Sequence, residues 1–244
     1  MAACDGLVAA LLSPPCVACA SVVSRIASGA LCDACWLSVQ FITPPICVRC
    51  GDPVLLSGPG GACGCSQLHP DVSAARALGP YEGTLRAVIH ALKYQGRRSI
   101  APRLARLLAE RCGSILSGAD VVVPVPLHWR RRWTRGFNQS EEIARHLRLP
   151  VVGALRRVRH TPPQAGLAAE RRATNLRDAF APRRTGRWSG VHRSRVVLLD
   201  DVSTTGATVA ACAEMLKEAG AAEVRVLTVA RTLRSAHARA DGAA

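Results

Sequence analysis

The sequence predicts an α/β fold, a mostly parallel sheet flanked by helices, with a small cysteine-rich module at its N-terminal end. Three observations predict it. Short β-branched runs alternate with helical apolar patterns beyond residue 85, and eight of the eleven cysteines fall between Cys16 and Cys65. Apolar residues make up 49% of the 244, enough for one full core and a satellite.

Leu85, Val88, Ile89 and Leu92 mark one helix face, and residues 103–109 continue helically. Val121-Val122-Val123 reads as a buried strand, ended by Pro124-Val125-Pro126. Residues 138–147 read as a helix with Asn138 as N-cap. Val196 to Leu199 is a second buried strand. Val209, Cys212, Ala213 and Leu216 then form a helix face with Gly220 just past its end, and Val224 to Val229 supplies a further strand. The shift near residues 66–72 divides the chain into a module over 1–70 and an α/β domain over 71–234, with 235–244 expected as a disordered tail.

Nine aromatic residues leave the core to Val, Leu, Ile and Ala and argue against a platform of exposed rings for stacking bases. The chain carries 32 Lys+Arg against 17 Asp+Glu, and residues 128–195 hold 17 arginines against four carboxylates. That excess is either a solvated surface or a surface for polyanions. No apolar run is long enough to span a bilayer, and MAACDGLVAALLSPPC lacks the basic start of a secretory signal. The expected compartment is the cytoplasm, where thiols stay reduced.

The cysteines form a repeat. Cys16-x-x-Cys19 and Cys32-x-x-Cys35 are followed, at an offset of 31 residues, by Cys47-x-x-Cys50 and Cys63-x-Cys65. Paired thiolates at this spacing match structural zinc ribbons, in which two sulfurs of one turn reach a single ion. Metal also answers a physical need, because a Gly- and Pro-rich segment this small builds little core of its own. One site or two, and sequential or crossed pairing, stay open at this point. Disulfides, an iron–sulfur cluster and redox pairs are the competing readings. Cys63-x-Cys65 is the weakest ligand pair, and Cys4, Cys112 and Cys212 read as core residues.

Val196 to Thr208, VVLLDDVSTTGAT, is the most informative stretch. A buried strand places a turn at the carboxyl edge of the sheet, where open α/β folds bind ligands. Ser203, Thr204, Thr205, Gly206, Ala207 and Thr208 offer hydroxyls and backbone amides ahead of a helix, a cup for an anion. Asp200 and Asp201 can accept hydrogen bonds from a vicinal diol, although two carboxylates after a strand also serve simply to cap a turn. No Gly-Lys-Ser/Thr run of a nucleotide P-loop is present.

The strand–DD–STTG–helix pattern resembles the ribose-phosphate signature of type I phosphoribosyltransferases. V-P-V-P-L-H at 123–128, R-G-F-N-Q at 135–139, T-P-P-Q at 161–164 and E-R-R-A-T-N at 170–175 are similar, in order and spacing, to the ComF competence family. The resemblance runs from Cys16 to Thr232, with Trp129 and Asp178 where a proline and a glycine are expected. It implies a type I phosphoribosyltransferase-like fold behind a double zinc ribbon. It further implies that Val125, Pro126 and Leu127 face a diphosphate, with Arg135 neutralising it. Gln164, Arg171 and Asn175 would line an adjoining segment, and Lys93 and Tyr94 would lie over the site. Asp200 and Asp201 would hold the ribose diol of 5-phosphoribosyl 1-diphosphate with Mg²⁺.

Three functions are compatible with this reading. The first is a phosphoribosyl transferase of unidentified acceptor, associated with DNA uptake. The second is a non-catalytic factor binding single-stranded DNA through arginines around 130–132, 156–159 and 183–187, in contact with the uptake machinery and using the fold as sensor or scaffold. The third is a nucleobase salvage enzyme. His90 and His128 are more ordinary as structural groups than as acid or base. Trp129 and Trp133 are candidates for stacking a base or for packing on the sheet.

Overall fold

The computed structural model describes residues 15–23, 30–54, 63, 65, 68–158, 179–183 and 190–233. Gln164, Arg171, Asn175 and the tail after 234 lie outside them.

The N-terminal module contributes a short helix, α1 (Asp33–Leu37). The elements β1 (Ala74–Pro80), α2 (Gly83–Tyr94), α3 (Ala101–Arg111), α4 (Gly113–Leu116) and β2 (Val121–Pro124) follow. Next come α5 (Trp129–Arg135), α6 (Gln139–Ala144), β3 (Leu155–Arg157), β4 (Phe180–Pro182), β5 (Arg195–Ser203), α7 (Ala207–Glu218) and β6 (Glu223–Arg231). Four strands form a wholly parallel sheet in the order β1-β6-β5-β2, and β3 pairs with β4 antiparallel. Among the described residues no helix is long and apolar enough to cross a membrane.

Alternation along the strands sorts two cores. Val197, Leu199, Leu227 and Val229 face the helices α2, α3 and α6, whereas Val196, Leu198, Val224 and Val226 face α7. Cys112 and Cys212 are buried in these cores. The first core does not stop at the sheet: Val23, Leu31, Trp36 and Val39 of the cysteine module are buried in it beside Leu78, Leu85 and Leu104.

Several elements differ from the sequence reading. β1 carries no β-branched residue, so propensity hides it; it forms because its backbone pairs with β6 from Ala74↔Arg225 to Pro80↔Arg231. The helix read over 138–147 ends at Ala144, although Asn138 caps it, its side chain accepting from the Ser140 amide at 3.1 Å. α5 and the β3–β4 pair went unread, the first because its only apolar residues, Trp129 and Trp133, are exposed and mark no buried face.

Candidate functional site

The 31-residue repeat in the cysteines is also a repeat in the backbone. Cys16 N donates to Ser21 O at 2.7 Å and Ala20 N to Cys16 O at 2.8 Å; Cys47 N donates to Asp52 O at 2.8 Å and Gly51 N to Cys47 O at 3.0 Å. Bridges Pro15↔Val22 and Ile46↔Pro53 flank the two turns, and Ala20 and Gly51 share positive φ, 63° and 73°. Each turn aims two sulfurs inward, and each tetrad is completed by its own later pair. The sulfurs of Cys16, Cys19, Cys32 and Cys35 lie within 4.8 Å of one another, as do those of Cys47, Cys50, Cys63 and Cys65. Pairing is therefore sequential, not crossed.

These tetrads fit zinc. A tetrahedron with bonds of about 2.3 Å places sulfurs about 3.8 Å apart, and Cys19 Sγ lies 3.7 Å from Cys32 Sγ. Cys47 Sγ to Cys65 Sγ is closer, 3.2 Å, in the pair with the shorter spacer. Amides support the thiolates: Cys32 N donates to Cys16 Sγ at 3.4 Å and Cys35 N to Cys32 Sγ at 3.5 Å. The Ser21 hydroxyl draws the Cys19 pKa down to about 6. Both tetrads hold free thiols, which removes the disulfide reading for the described cysteines.

The second centre lies at the carboxyl ends of β2 and β5. Asp200 and Asp201 end the buried part of β5, and Lys93, at the close of α2, sets Nζ 2.8 Å from Asp201 Oδ1. Asp200 Oδ1 accepts from the Asp201 amide at 2.8 Å and from Ser140 Oγ at 3.4 Å. Burial, reinforced by the Asp201 charge and opposed by Lys93, pushes the Asp200 pKa up to about 7. The pair is thus asymmetric, Asp201 ion-paired with Lys93 and Asp200 biased by burial toward its protonated form.

Ser203 to Thr208 turn from β5 into α7. Gly206, at φ 78°, is the N-cap, a left-handed position that side chains disfavour. Thr204 and Thr205 are exposed, and among the described residues the amides of Thr204, Thr205 and Gly206 donate to no protein acceptor. Ala207 and Thr208 open the helix, so their amides and its dipole face the same direction.

The loop after β2 forms the opposite wall. Val125 O accepts from Asn138 Nδ2 at 2.9 Å, so the residue that caps α6 also ties Val125-Pro126-Leu127 to it. Arg135, ending α5, stacks 4.8 Å over the Tyr94 ring and donates to Gln139 Oε1 at 3.2 Å. Gln139 is fully buried, with its Nε2 lacking a partner among the described residues. The structure therefore gathers Lys93, Tyr94, Arg135, Asp200 and Asp201 with the two loops. Ser140, Gln139 and Arg157 were not assigned to this centre from the sequence. Gln139 closes the R-G-F-N-Q motif and Ser140 follows it directly, which was their available signal; Arg157 arrives by the bridge His128↔Arg157. Burial, together with repulsion from Arg131, lowers the Arg157 pKa, against the pull of Asp200.

Outside the loop after β2 runs a groove of about 530 Å³, lined by Trp129, Arg132, Arg145, Arg156, Arg157 and Arg183 among others. His128 caps α5 through its side chain, accepting from Arg130 N at 3.4 Å, the structural role expected of it.

Comparison with known proteins finds relatives for both parts of the chain. The double zinc ribbon domain matches residues 7–67, and the phosphoribosyl transferase domain matches residues 97–242. DNA utilization protein YhgH of Salmonella typhimurium is 37% identical over 214 residues, 83% of this chain and 91% of that protein. Competence protein F of Haemophilus influenzae is 33% identical over 219 residues, 85% of this chain and 93% of that one. Competence protein ComFC of Bacillus subtilis is 26% identical over 208 residues, 83% and 84% of the two chains. With its double zinc ribbon and its type I phosphoribosyltransferase-like sheet, the chain belongs to the ComF family of competence proteins.

Proposed function

We propose that the carboxyl edge of the sheet binds 5-phosphoribosyl 1-diphosphate together with Mg²⁺, in the cytoplasm, and transfers its phosphoribosyl group to an acceptor the site does not identify. The observation that carries this is the joint placement of an open amide cup at Thr204–Gly206 and the Asp200–Asp201 pair at its lip. The cup and the α7 N-terminus suit the 5-phosphate. Asp200 and Asp201 suit the 2- and 3-hydroxyls, and Val125 to Leu127 with Arg135 suit the diphosphate. Transfer breaks the bond from the anomeric carbon to diphosphate and forms one to the acceptor, and the carboxylates stabilise the positive charge that develops between.

Oxygen ligands of the kind Mg²⁺ prefers are present in the acidic pair. Lys93 already occupies one side of Asp201, so the pair alone is no cage and the ion would enter with the donor. When bound, it neutralises the leaving diphosphate.

Titration with the donor and Mg²⁺ tests this. Asp200→Asn/Asp201→Asn removes two charge-assisted contacts and should weaken binding about a hundredfold or more. Unaltered affinity in the double variant would falsify the role given to the pair.

The groove favours a second reading, binding of single-stranded DNA during uptake. An extended polyanion matches a concave surface lined by arginines, and Trp129, 58% exposed, presents a ring to an unpaired base. The names of the relatives, DNA utilization and competence, point the same way. Affinity for a thymidine oligomer should fall steeply between about 50 and 200 mM salt, and Arg156→Ala/Arg183→Ala should weaken it and flatten that dependence. Salt-insensitive binding, or none, would sink this reading.

A further inference from the structure

Arg231, the last residue of β6, faces two centres at once. In the ladder it is the partner of Ser203, and the next amide, Thr232 N, donates to Ser203 O at 3.0 Å. The start of the phosphate turn is therefore held by the end of β6. Its side chain reaches the other way: Nη1 donates to Cys50 O at 2.6 Å and lies 2.9 Å from Asp52 Oδ1. Cys50 belongs to the second tetrad, and Asp52 O receives the Cys47 amide that shapes the turn. One residue thus links, through its guanidinium, a zinc ligand's own peptide and, through its backbone, the first residue of the loop.

The surroundings make this a firm connection. Ala75 N donates to Arg49 O at 2.7 Å, and Arg76 Nη2 to Val48 O at 2.9 Å, so the second turn lies on β1 through backbone contacts. A Cβ on Gly51 would stand 2.5 Å from Ala75 O, which shows how closely the two backbones approach. Cys50, Asp52, Arg231 and Ser203 to Gly206 jointly line one cavity of about 80 Å³. Among the described residues the first tetrad has no such link to the phosphate turn. It meets the domain at α3, where Arg103 stacks 4.4 Å over Trp36.

We propose that Arg231 is a positioning residue which makes the second zinc site and the phosphate loop one thermodynamic unit. Zinc held by Cys47, Cys50, Cys63 and Cys65 fixes the Cys50 carbonyl and Asp52, these fix Arg231, and Arg231 fixes the turn that receives a phosphorylated ligand. Loss of the metal frees the turn around Cys50, removes partners from a partly buried guanidinium, and loosens the strand end that anchors Ser203. Linkage is reciprocal, so a ligand in the loop must hold the second zinc more tightly by the same factor. The proposal rests on the phosphate-binding reading given above.

The test uses the full-length, zinc-loaded protein and ribose 5-phosphate as probe, with zinc release followed by a chromogenic chelator. Ribose 5-phosphate should slow release from one of the two sites by about fivefold or more and leave the other unchanged. Arg231→Gln should abolish the slowing and weaken ribose 5-phosphate binding by a similar factor. Arg231→Lys should restore part of both. Asp52→Asn repeats the test from the other end of the ion pair and stands in should Arg231→Gln fail to fold. A wild-type protein that binds ribose 5-phosphate with no change in zinc release overturns the coupling alone. So does an Arg231→Gln protein that binds and protects like the wild type. A wild-type protein that does not bind ribose 5-phosphate overturns the phosphate site and, with it, this inference.

Discussion

The first zinc knuckle and the carboxyl edge of the sheet are built on different terms. Around the first knuckle the contacts are mainly apolar, although Arg103 Nε is buried with no partner among the described residues. Trp36 is 4% exposed, stacked under Arg103, and packed with Leu31 and Val39 into the core of α2 and α3. At the carboxyl edge, Asp200 is pushed toward protonation, and among the described residues the buried Gln139 amide nitrogen has no partner and the turn amides at 204–206 are open. Apolar packing dominates at the first knuckle, and strained or open polar groups are more numerous at the edge, where a ligand would relieve them. The second knuckle belongs with the edge: it docks through Arg231, Arg76 and backbone contacts, not through an apolar face.

Trp36→Ala is the most direct way to break this comparison. Truncating a buried tryptophan costs about 3–5 kcal/mol through lost burial and the cavity left behind. Because Trp36 shares one core with Leu85 and Leu104, the loss should appear as a lower denaturant midpoint of the whole domain. If the midpoint stays put and only zinc affinity at the first tetrad falls, the first knuckle is an appendage and the contrast fails.

The sequence exposes these two regions unequally, for physical reasons. The tetrads and the DDVSTTGAT turn are legible because metal ligation and anion binding each demand a local pattern, and residues three apart in one turn need no distant partner. Val121–Val123 and Val196–Leu199 are legible because strands buried on both faces become continuous apolar runs. β1 is not, because its strand character comes from pairing with β6, a contact about 150 residues away. Arg231 and Ser140 escaped for a related reason. Nothing in their neighbours announces a role; Arg231 acquires one from Cys50 and Asp52, and Ser140 from Asp200, across the fold. Sequential pairing of the tetrads likewise needed coordinates, since spacing alone allows the crossed arrangement.

A smaller and opposite effect should come from Asp200→Asn. In the unfolded chain Asp200 titrates near the ordinary aspartate value, whereas burial and the Asp201 charge raise it to about 7 in the fold. The native state therefore keeps a proton that the unfolded chain gives up, and stability attributable to this group is fully present at low pH and falls as pH rises from about 4 to 7. An asparagine has no proton to lose, so the variant should gain on the wild type across that window and hold a steady advantage above it. Denaturant unfolding of both proteins from pH 4 to pH 8 measures the difference. A gap that narrows with rising pH would mean that Asp200 is stabilised as a carboxylate by its neighbours, and the carboxyl edge would then be no more strained than the knuckle. A gap that widens as described makes ligand binding and stability compete at a single carboxyl group, since the proton that relieves Asp200 in the empty site is the one a ribose diol, which needs an acceptor, would have to displace.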